Sequence, residues 1–203
     1  PATGQLNRFG ELAGDPFDYK DIWALCEDRN GYLWIGTFAA SFYRLDSRSG
    51  TIKNFSTQIG EPEVSYDIIT NIYEDRQGAL WICTNSGVIN YDWQSNRYVH
   101  FSHQPDQPYS LSDDMVWVVM EDSQNNVWIG TNQGLNLYDP NTKQFQRFYE
   151  KDGLPSNTIY GILEDEQGYL WVSSDAGLAR CLTPTGKAAK DHLKKRFRLY
   201  DQQ

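Results

Sequence analysis

Residues 120–139 read MEDSQNNVWIGTNQGLNLYD, and three other stretches of the chain follow the same pattern. Each copy contains a Glu-Asp pair, and a tryptophan occupies the sixth position after the aspartate. The four tryptophans are Trp34, Trp81, Trp128 and Trp171, which places successive copies 47, 47 and 43 residues apart. A period of this length is typical of one four-stranded blade of a β-propeller.

Each copy carries the signals of four strands. An apolar run leads into the Glu-Asp pair, the tryptophan lies in a second run, and two more runs follow. Because the first run has apolar residues on both faces, it predicts an inner strand that is buried on both sides. We expect an aromatic residue on the outer strand of each copy: Phe55, Phe101, Phe148 and Phe197.

A turn joins the first two strands of each copy. Its aspartate can accept hydrogen bonds from the backbone amides ahead of it, and a glycine adopts the positive φ that closes such a turn. The aspartates are Asp28, Asp75, Asp122 and Asp165, and the glycines are Gly31, Gly78 and Gly168. In the third copy we expect Asn126 to replace the glycine, since asparagine tolerates positive φ.

The sequence therefore predicts an all-β fold, a β-propeller with four complete four-stranded antiparallel blades. We place the blades at about residues 18–58, 64–104, 112–150 and 155–203 of one propeller region, 1–203. Residues 1–10 align with the outer hairpin of the third copy and predict an extra N-terminal outer strand from a preceding blade. Because these residues would belong to an earlier blade, we expect a fragment of a larger ring of about seven blades, within the range of about four to eight that propellers have. Its open blade edges could self-associate.

The tryptophan, aspartate and glycine of each repeat are expected to be structural. One blade cannot bury both of its faces alone, so each indole is predicted to pack between neighbouring blades. Burying such a ring removes on the order of 150–250 Å² of surface from water. Four copies of the Glu-Asp pair at blade turns likewise favour a structural role over acid–base catalysis.

Composition argues against several classes of partner. The net charge is −9, and a protein that binds nucleic acid needs a basic surface, so no nucleic acid is expected. No apolar stretch approaches the length of about 18 residues that a membrane-spanning helix needs, so we expect no membrane contact by this segment itself. The three cysteines lack the spacing of a metal site, and no metal or cofactor is predicted.

A ligand site is predicted at the mouth of the central channel. One inner-strand position is occupied in the four copies by Trp23, Thr70, Trp117 and Tyr160. Aromatic rings there could stack on the apolar faces of sugars, and the alternative is that they pack between blades. The loops that lead into the inner strands add polar and aromatic groups, which could equally serve ordinary turns. These loop residues are Tyr66, Tyr109, Asp114 and Asn157.

The copy at residues 120–139 resembles the two-component regulator propeller repeat, and residues 152–157 resemble the link between blades in that family. The resemblance implies a sensor propeller in the periplasmic part of a bacterial histidine kinase, hybrid kinase or diguanylate cyclase. Such a propeller would be non-catalytic and would bind a small molecule or an oligosaccharide, with any kinase or cyclase activity outside this chain. The sequence departs from the repeat at residues 38–41, Cys83 and Ser173.

Two other functions stay open. Propeller faces recruit proteins in many systems, which would make this chain a protein–protein interaction scaffold. The second alternative is a polysaccharide-active propeller enzyme, although the sequence contains no nucleophile elbow and no phosphate-binding loop.

Overall fold

A computed structural model describes residues 21–38, 41–56, 68–182 and 197–200. These residues form sixteen β-strands in four antiparallel sheets of four strands each, together with one 3-10 turn at Glu150–Asp152. The prediction of an all-β propeller with four four-stranded blades is confirmed. The outer strand predicted for residues 1–10 lies outside the described residues.

Each sheet is one blade, and its strands are neighbours in chain order. Blade one contains β1 (Ile22–Glu27), β2 (Tyr32–Thr37), β3 (Phe42–Asp46) and β4 (Thr51–Asn54). Blade two contains β5 (Ile69–Glu74), β6 (Leu80–Thr84), β7 (Gly87–Asp92) and β8 (Arg97–Phe101). Blade three contains β9 (Val116–Glu121), β10 (Val127–Thr131), β11 (Gly134–Asp139) and β12 (Gln144–Phe148). Blade four contains β13 (Ile159–Glu164), β14 (Tyr169–Ser174), β15 (Gly177–Leu182) and β16 (Arg198–Leu199).

The first strands of successive blades lie side by side. β1 contacts β5, β5 contacts β9, and β9 contacts β13. One of these contacts is a hydrogen bond from the hydroxyl of Thr70 in β5 to the carbonyl of Val116 in β9. The first strands are therefore the inner strands of the propeller, as the sequence predicts.

The two ends of a blade are built differently. At the end that we call the turn end, an aspartate turn joins the first strand to the second. At the opposite end, the loop end, the connection from the preceding blade leads into the first strand. The hairpin between the second and third strands lies beside this connection, and the amide of Gly87 donates a hydrogen bond of 2.7 Å to the carbonyl of Asp114.

In every blade the aspartate of the turn accepts a hydrogen bond from the indole N–H of the tryptophan. The donor–acceptor distances are 2.9 Å for Trp34 and Asp28, 2.9 Å for Trp81 and Asp75, 2.8 Å for Trp128 and Asp122, and 2.7 Å for Trp171 and Asp165. The other carboxylate oxygen accepts hydrogen bonds from the amides two and four residues ahead, such as those of Asn30 and Tyr32. One carboxylate thus fixes both the turn and the buried ring.

The turn of blade three differs from the prediction. Asn125, with a φ of 61°, takes the place of the turn glycine, whereas Asn126 was expected there. Asn126 is buried, and its side-chain amide donates a hydrogen bond of 2.7 Å to Asp122. The expectation for Asn126 was wrong because the left-handed residue is the third residue after the aspartate, as Gly31 is after Asp28, and that residue is Asn125.

The tryptophans of the first three blades are buried. Trp34 lies in a cluster with Ile69, Ile72 and Leu80 of the following blade. Trp81 and Trp128 occupy equivalent clusters with residues of blades three and four. Each indole therefore contributes to the contact between its own blade and the next one.

The expectation that every inner strand is buried on both faces is wrong for β1 and β13. Leu25 in β1 is 59% exposed and Leu163 in β13 is 64% exposed. In β5 and β9, which lie between two blades, the equivalents of Leu25 are Ile72 and Val119, which are buried. The equivalents of Leu163 are Tyr73 and Met120, which are partly buried. The difference arises because blades one and four each have a described neighbour on one side only.

The outer strand of blade four also departs from the prediction. The amide of Tyr200 donates a hydrogen bond of 2.7 Å to Leu178, as the amide of Phe55 does to Phe42 at 2.7 Å. Tyr200, and not Phe197, is therefore the equivalent of Phe55. Phe197 packs instead against Phe148, with 5.8 Å between the ring centroids.

A repeated contact joins neighbouring blades at the turn end. Glu74 accepts one hydrogen bond of 2.8 Å from the backbone N–H of Arg29 and another of 2.8 Å from its Nε. The equivalent bonds join Glu121 to the N–H of Arg76 at 2.7 Å and Glu164 to the N–H of Ser123 at 2.6 Å. In blades two, three and four, the glutamate of the Glu-Asp pair thus binds the residue after the aspartate of the preceding blade.

Residue size is matched where the second strand of one blade meets the next blade. A Cβ atom on Gly130 would lie 2.7 Å from Cγ2 of Ile159, and Gly36 faces Ile69 in the same way. In blade two this position is Cys83, which is buried in one cluster with Val116, the equivalent of Ile159. The larger residue on one blade is thus matched by a smaller residue on the other.

We expect Gly130→Ala to destabilise the protein by about 1–3 kcal/mol, because the added methyl group overfills the contact with Ile159. Ile159→Ala, which removes the Cγ2 atom that faces Gly130, should alone cost about 2–5 kcal/mol through lost packing. In the double variant the two costs should partly cancel, as measured by urea unfolding in a double-mutant cycle. Strict additivity would show that these residues do not share one packing site.

Stability should also depend on the Asp165 carboxyl at acid pH. The indole N–H of Trp171 and the amide of Tyr169 lower its pKa. Since the folded-state pKa lies below the unfolded value of about 3.9, the stabilisation is complete above that value and is lost as the pH falls through the folded-state pKa. Carbon-13 NMR of the carboxyl should report this low midpoint. Trp171→Phe should raise the midpoint and Trp128→Phe should not, and equal midpoints in all three proteins would contradict the assignment.

Candidate functional site

The four inner-strand residues of the predicted ligand site share an unusual backbone position. In each blade the pairing of the first and second strands shifts by one residue, and the extra residue is Trp23, Thr70, Trp117 or Tyr160. Such a β-bulge re-aims the side chain of the unpaired residue and is frequent beside functional sites. All four bulges lie at the loop end of the propeller.

The structure brings two of these residues together. The rings of Trp117 and Tyr160 meet edge to face, with 5.5 Å between centroids and 67° between planes. The indole N–H of Trp117 donates a hydrogen bond of 2.8 Å to Oδ1 of Asn132 in the hairpin between β10 and β11. Tyr160 is 48% exposed, and Trp117 is partly buried. We call Trp117, Tyr160 and Asn132 the aromatic site.

Trp23 belongs to a separate aromatic pair. It is 51% exposed, and its ring lies 5.4 Å from that of Phe38. Thr70 occupies the bulge between Trp23 and Trp117, and its hydroxyl donates to the backbone carbonyls of Cys83 and Val116. The loop end therefore carries two aromatic pairs on either side of a small residue.

The polar loop residues make contacts within the loops. Oδ1 of Asp114 accepts a hydrogen bond of 2.6 Å from the amide of His103. Oδ1 of Asn157 accepts one of 3.0 Å from the amide of Glu150. These bonds hold the connections between blades, which agrees with the alternative that Asp114 and Asn157 serve ordinary turns.

Tyr109 is not brought to the aromatic site. Its carbonyl accepts a hydrogen bond of 2.8 Å from Phe145 in β12, which is the outer strand of blade three. Its side chain is 59% exposed and lines a shallow groove with His100, Gln107 and Lys143. Tyr66 lies outside the described residues.

Asn132 is a site residue that the sequence did not single out. It is the first residue of its hairpin, and the equivalent residues are Asn85 and Asp175. Oδ1 of Asn85 accepts a hydrogen bond of 2.9 Å from the amide of Ile68, so this position holds the start of the inner strand in blade two as well. The recurrence of a short polar residue beside the bulge was the signal that could have identified it.

The described residues offer little for other chemistry. No group of three His, Cys, Asp or Glu side chains within them is arranged to hold a metal ion. Burial raises the pKa of the Cys83 thiol, which keeps this cysteine protonated and unreactive. No helix in the described part of the chain has both the length and the apolar character needed to cross a membrane.

Comparison with protein families matches the repeat pattern. The family model for the two-component regulator propeller matches residues 16–39, 63–86, 110–133 and 153–176, one match in each blade. The chain belongs to the two-component regulator propeller family. Each match ends at the hairpin between the second and third strands of its blade, such as residues 84–87, so it covers the bulge, the aspartate turn and the tryptophan.

Solved structures similar to this propeller include two from B. thetaiotaomicron. The extracellular domain of a hybrid two component system has a TM-score of 0.72 and 19% identity over 91% of this chain and 25% of that one. The extracellular domain of a one component system has a TM-score of 0.65 and 23% identity over 79% of this chain and 23% of that one. The propeller thus spans about a quarter of the length of these structures.

A third similar structure is that of an enzyme variant. It is a catalytically inactive virginiamycin B lyase from Staphylococcus aureus, with a TM-score of 0.65 and 16% identity over 84% of this chain and 55% of that one. At such identities the similarity establishes the propeller fold alone. Among curated proteins, no sequence is significantly similar to this chain.

Proposed function

We propose that this chain is the ligand-sensing, non-catalytic propeller of a bacterial two-component receptor, and that its loop end binds an oligosaccharide. The observation that carries the proposal is the aromatic site, where two partly exposed rings meet at 5.5 Å on adjacent β-bulges. If the rings of Trp117 and Tyr160 served only to pack between blades, they would not need to be partly exposed to solvent. Rings held at fixed angles at the end of a rigid scaffold are suited to stacking against a ligand.

The chemistry of the aromatic site fits a neutral sugar. Aromatic faces stack on the C–H faces of a pyranose ring, while hydroxyl and amide groups bond its hydroxyls. Tyr160 contributes a phenol, and Asn132 an amide that already orients the indole of Trp117. Because the chain has a net charge of −9, we expect neutral oligosaccharides to bind better than sulfated or uronic ones.

An extracytoplasmic location belongs to the same proposal. Both B. thetaiotaomicron structures are extracellular domains, and the family is that of two-component regulators. We place the propeller on the periplasmic side of a receptor, where an oligosaccharide would reach the loop end directly.

We expect Trp117→Ala to abolish oligosaccharide binding while the protein unfolds at nearly the same urea concentration as the wild type. The probe is a glycan array of neutral and acidic oligosaccharides, and any bound glycan is then titrated calorimetrically. Trp128→Ala, by contrast, should destabilise the protein by roughly 3–5 kcal/mol, because it empties a fully buried site.

Tyr98→Ala is the matched control for this experiment. Tyr98 is an exposed aromatic residue, but it lies on the outer strand β8, away from the loop end. Its removal should leave glycan binding unchanged. The proposal fails if no glycan binds, if Trp117→Ala binds as the wild type does, or if Trp117→Ala destabilises the protein as much as Trp128→Ala.

A further inference from the structure

An arginine between blades one and two is surrounded by aromatic rings. The guanidinium carbon of Arg44 lies 4.2 Å from the ring centroid of Tyr32, 5.2 Å from Phe55 and 5.7 Å from Trp34, all in blade one. Trp93 of blade two completes the arrangement at 4.9 Å. We call this set the closed cage. A cation held over aromatic faces is attracted by their negative potential.

Among the described residues, blade four contains the same arrangement without the completing ring. Arg180 pairs with Trp171 across the strands as Arg44 pairs with Trp34. Its guanidinium carbon lies 4.7 Å from Tyr169 and 5.4 Å from Trp171. Tyr200 meets Trp171 at 5.2 Å and 67°, as Phe55 meets Trp34 at 5.2 Å and 70°.

The two cages differ in what covers them. Trp34 is fully buried beneath Trp93 and the rest of blade two, whereas Trp171 is only partly buried and Tyr200 is 52% exposed. We call Tyr169, Trp171, Arg180 and Tyr200 the open cage. Its apolar neighbour Leu182, which pairs with Tyr169 across the strands and is 52% exposed, extends the uncovered surface.

We infer that the open cage is the docking surface for a further propeller blade that presents an indole at the position of Trp93. In the closed cage the indole acts through its ring, since Nε1 of Trp93 is buried without a hydrogen-bond partner among the described residues. The docking blade also carries a glutamate at the position of Glu74, because each of the three described contacts between blades has this carboxylate bonded to the amide after the turn aspartate. In blade four that amide belongs to Glu166.

Blade one of a second copy does not fit this surface. Trp93 follows Asp92 at the end of β7, and the equivalent residue of blade one, after Asp46, is Ser47, which has no ring. The docking blade is therefore not blade one of a second copy, and we assign the open cage to a blade from outside residues 1–203.

The experiment uses the two cages of the same chain as test and control. The probe is N-acetyl-tryptophanamide, titrated into the nitrogen-15-labelled protein while the side-chain Nε–H signals of Arg180 and Arg44 are followed by NMR. A ring stacked on a guanidinium shifts its Nε–H signal upfield. We expect a saturable shift at Arg180, no shift at Arg44, and no shift at either arginine with N-acetyl-leucinamide.

Trp93→Ala supplies the matched variant, because it opens the closed cage. In this variant the signal of Arg44 should respond to the indole as that of Arg180 does. A response at Arg44 in the variant without one at Arg180 in the wild type would overturn the proposal, as would silence at both. Sedimentation velocity tests the occupant separately: self-association that Arg180→Ala abolishes would show that a second copy covers the cage and would overturn the assignment to another blade.

Discussion

The hydrogen bond from each indole to the aspartate six residues earlier is the contact on which the propeller depends. It joins a turn at the surface to a ring between two sheets, so the shape of the turn and the spacing of the blades are set together. Burying the N–H of a tryptophan without a partner would be costly, and a carboxylate that is also bonded by two amides is a rigid acceptor. The glutamate beside the aspartate then reaches the preceding blade, and the Glu-Asp pair thus organises both a blade and its neighbour.

The sequence was sufficient for the fold because the repeat is governed by spacing. Four tryptophans at a constant distance from four aspartates define the second strand, the turn and the first strand in every blade. Errors arose where one side chain had to be chosen among similar neighbours. Asn125 and Asn126 are adjacent, and Asn125 is the left-handed one because it stands three residues after Asp122, as Gly31 does after Asp28. Tyr200 replaces Phe197 because the longer connection after β15 changes which aromatic residue lies opposite Leu178.

The candidate site was less predictable than the fold. The sequence identified the inner-strand position of Trp117 and Tyr160, since it recurs in each blade. It could not show that this position is a bulge, because a single extra residue in an inner strand leaves no mark in the pattern of apolar residues. Nor could it distinguish Tyr109, which lies beside an outer strand, from residues at the loop end. Loops of similar composition go to different parts of the blade, and only the tertiary contacts separate them.

The matched residues at the contacts between blades have a consequence for how such arrays diversify. Gly130 faces Ile159, and Cys83 is buried in one cluster with Val116. A small residue on one sheet thus leaves space that a larger residue of the next sheet fills. A blade transplanted elsewhere in the array would therefore meet a neighbour of the wrong size, even though its own interior is intact. The unit that has to stay intact is therefore the contact between two neighbouring blades, with the half of each sheet that forms it. Recombination within blades should preserve this packing better than recombination at the borders between blades.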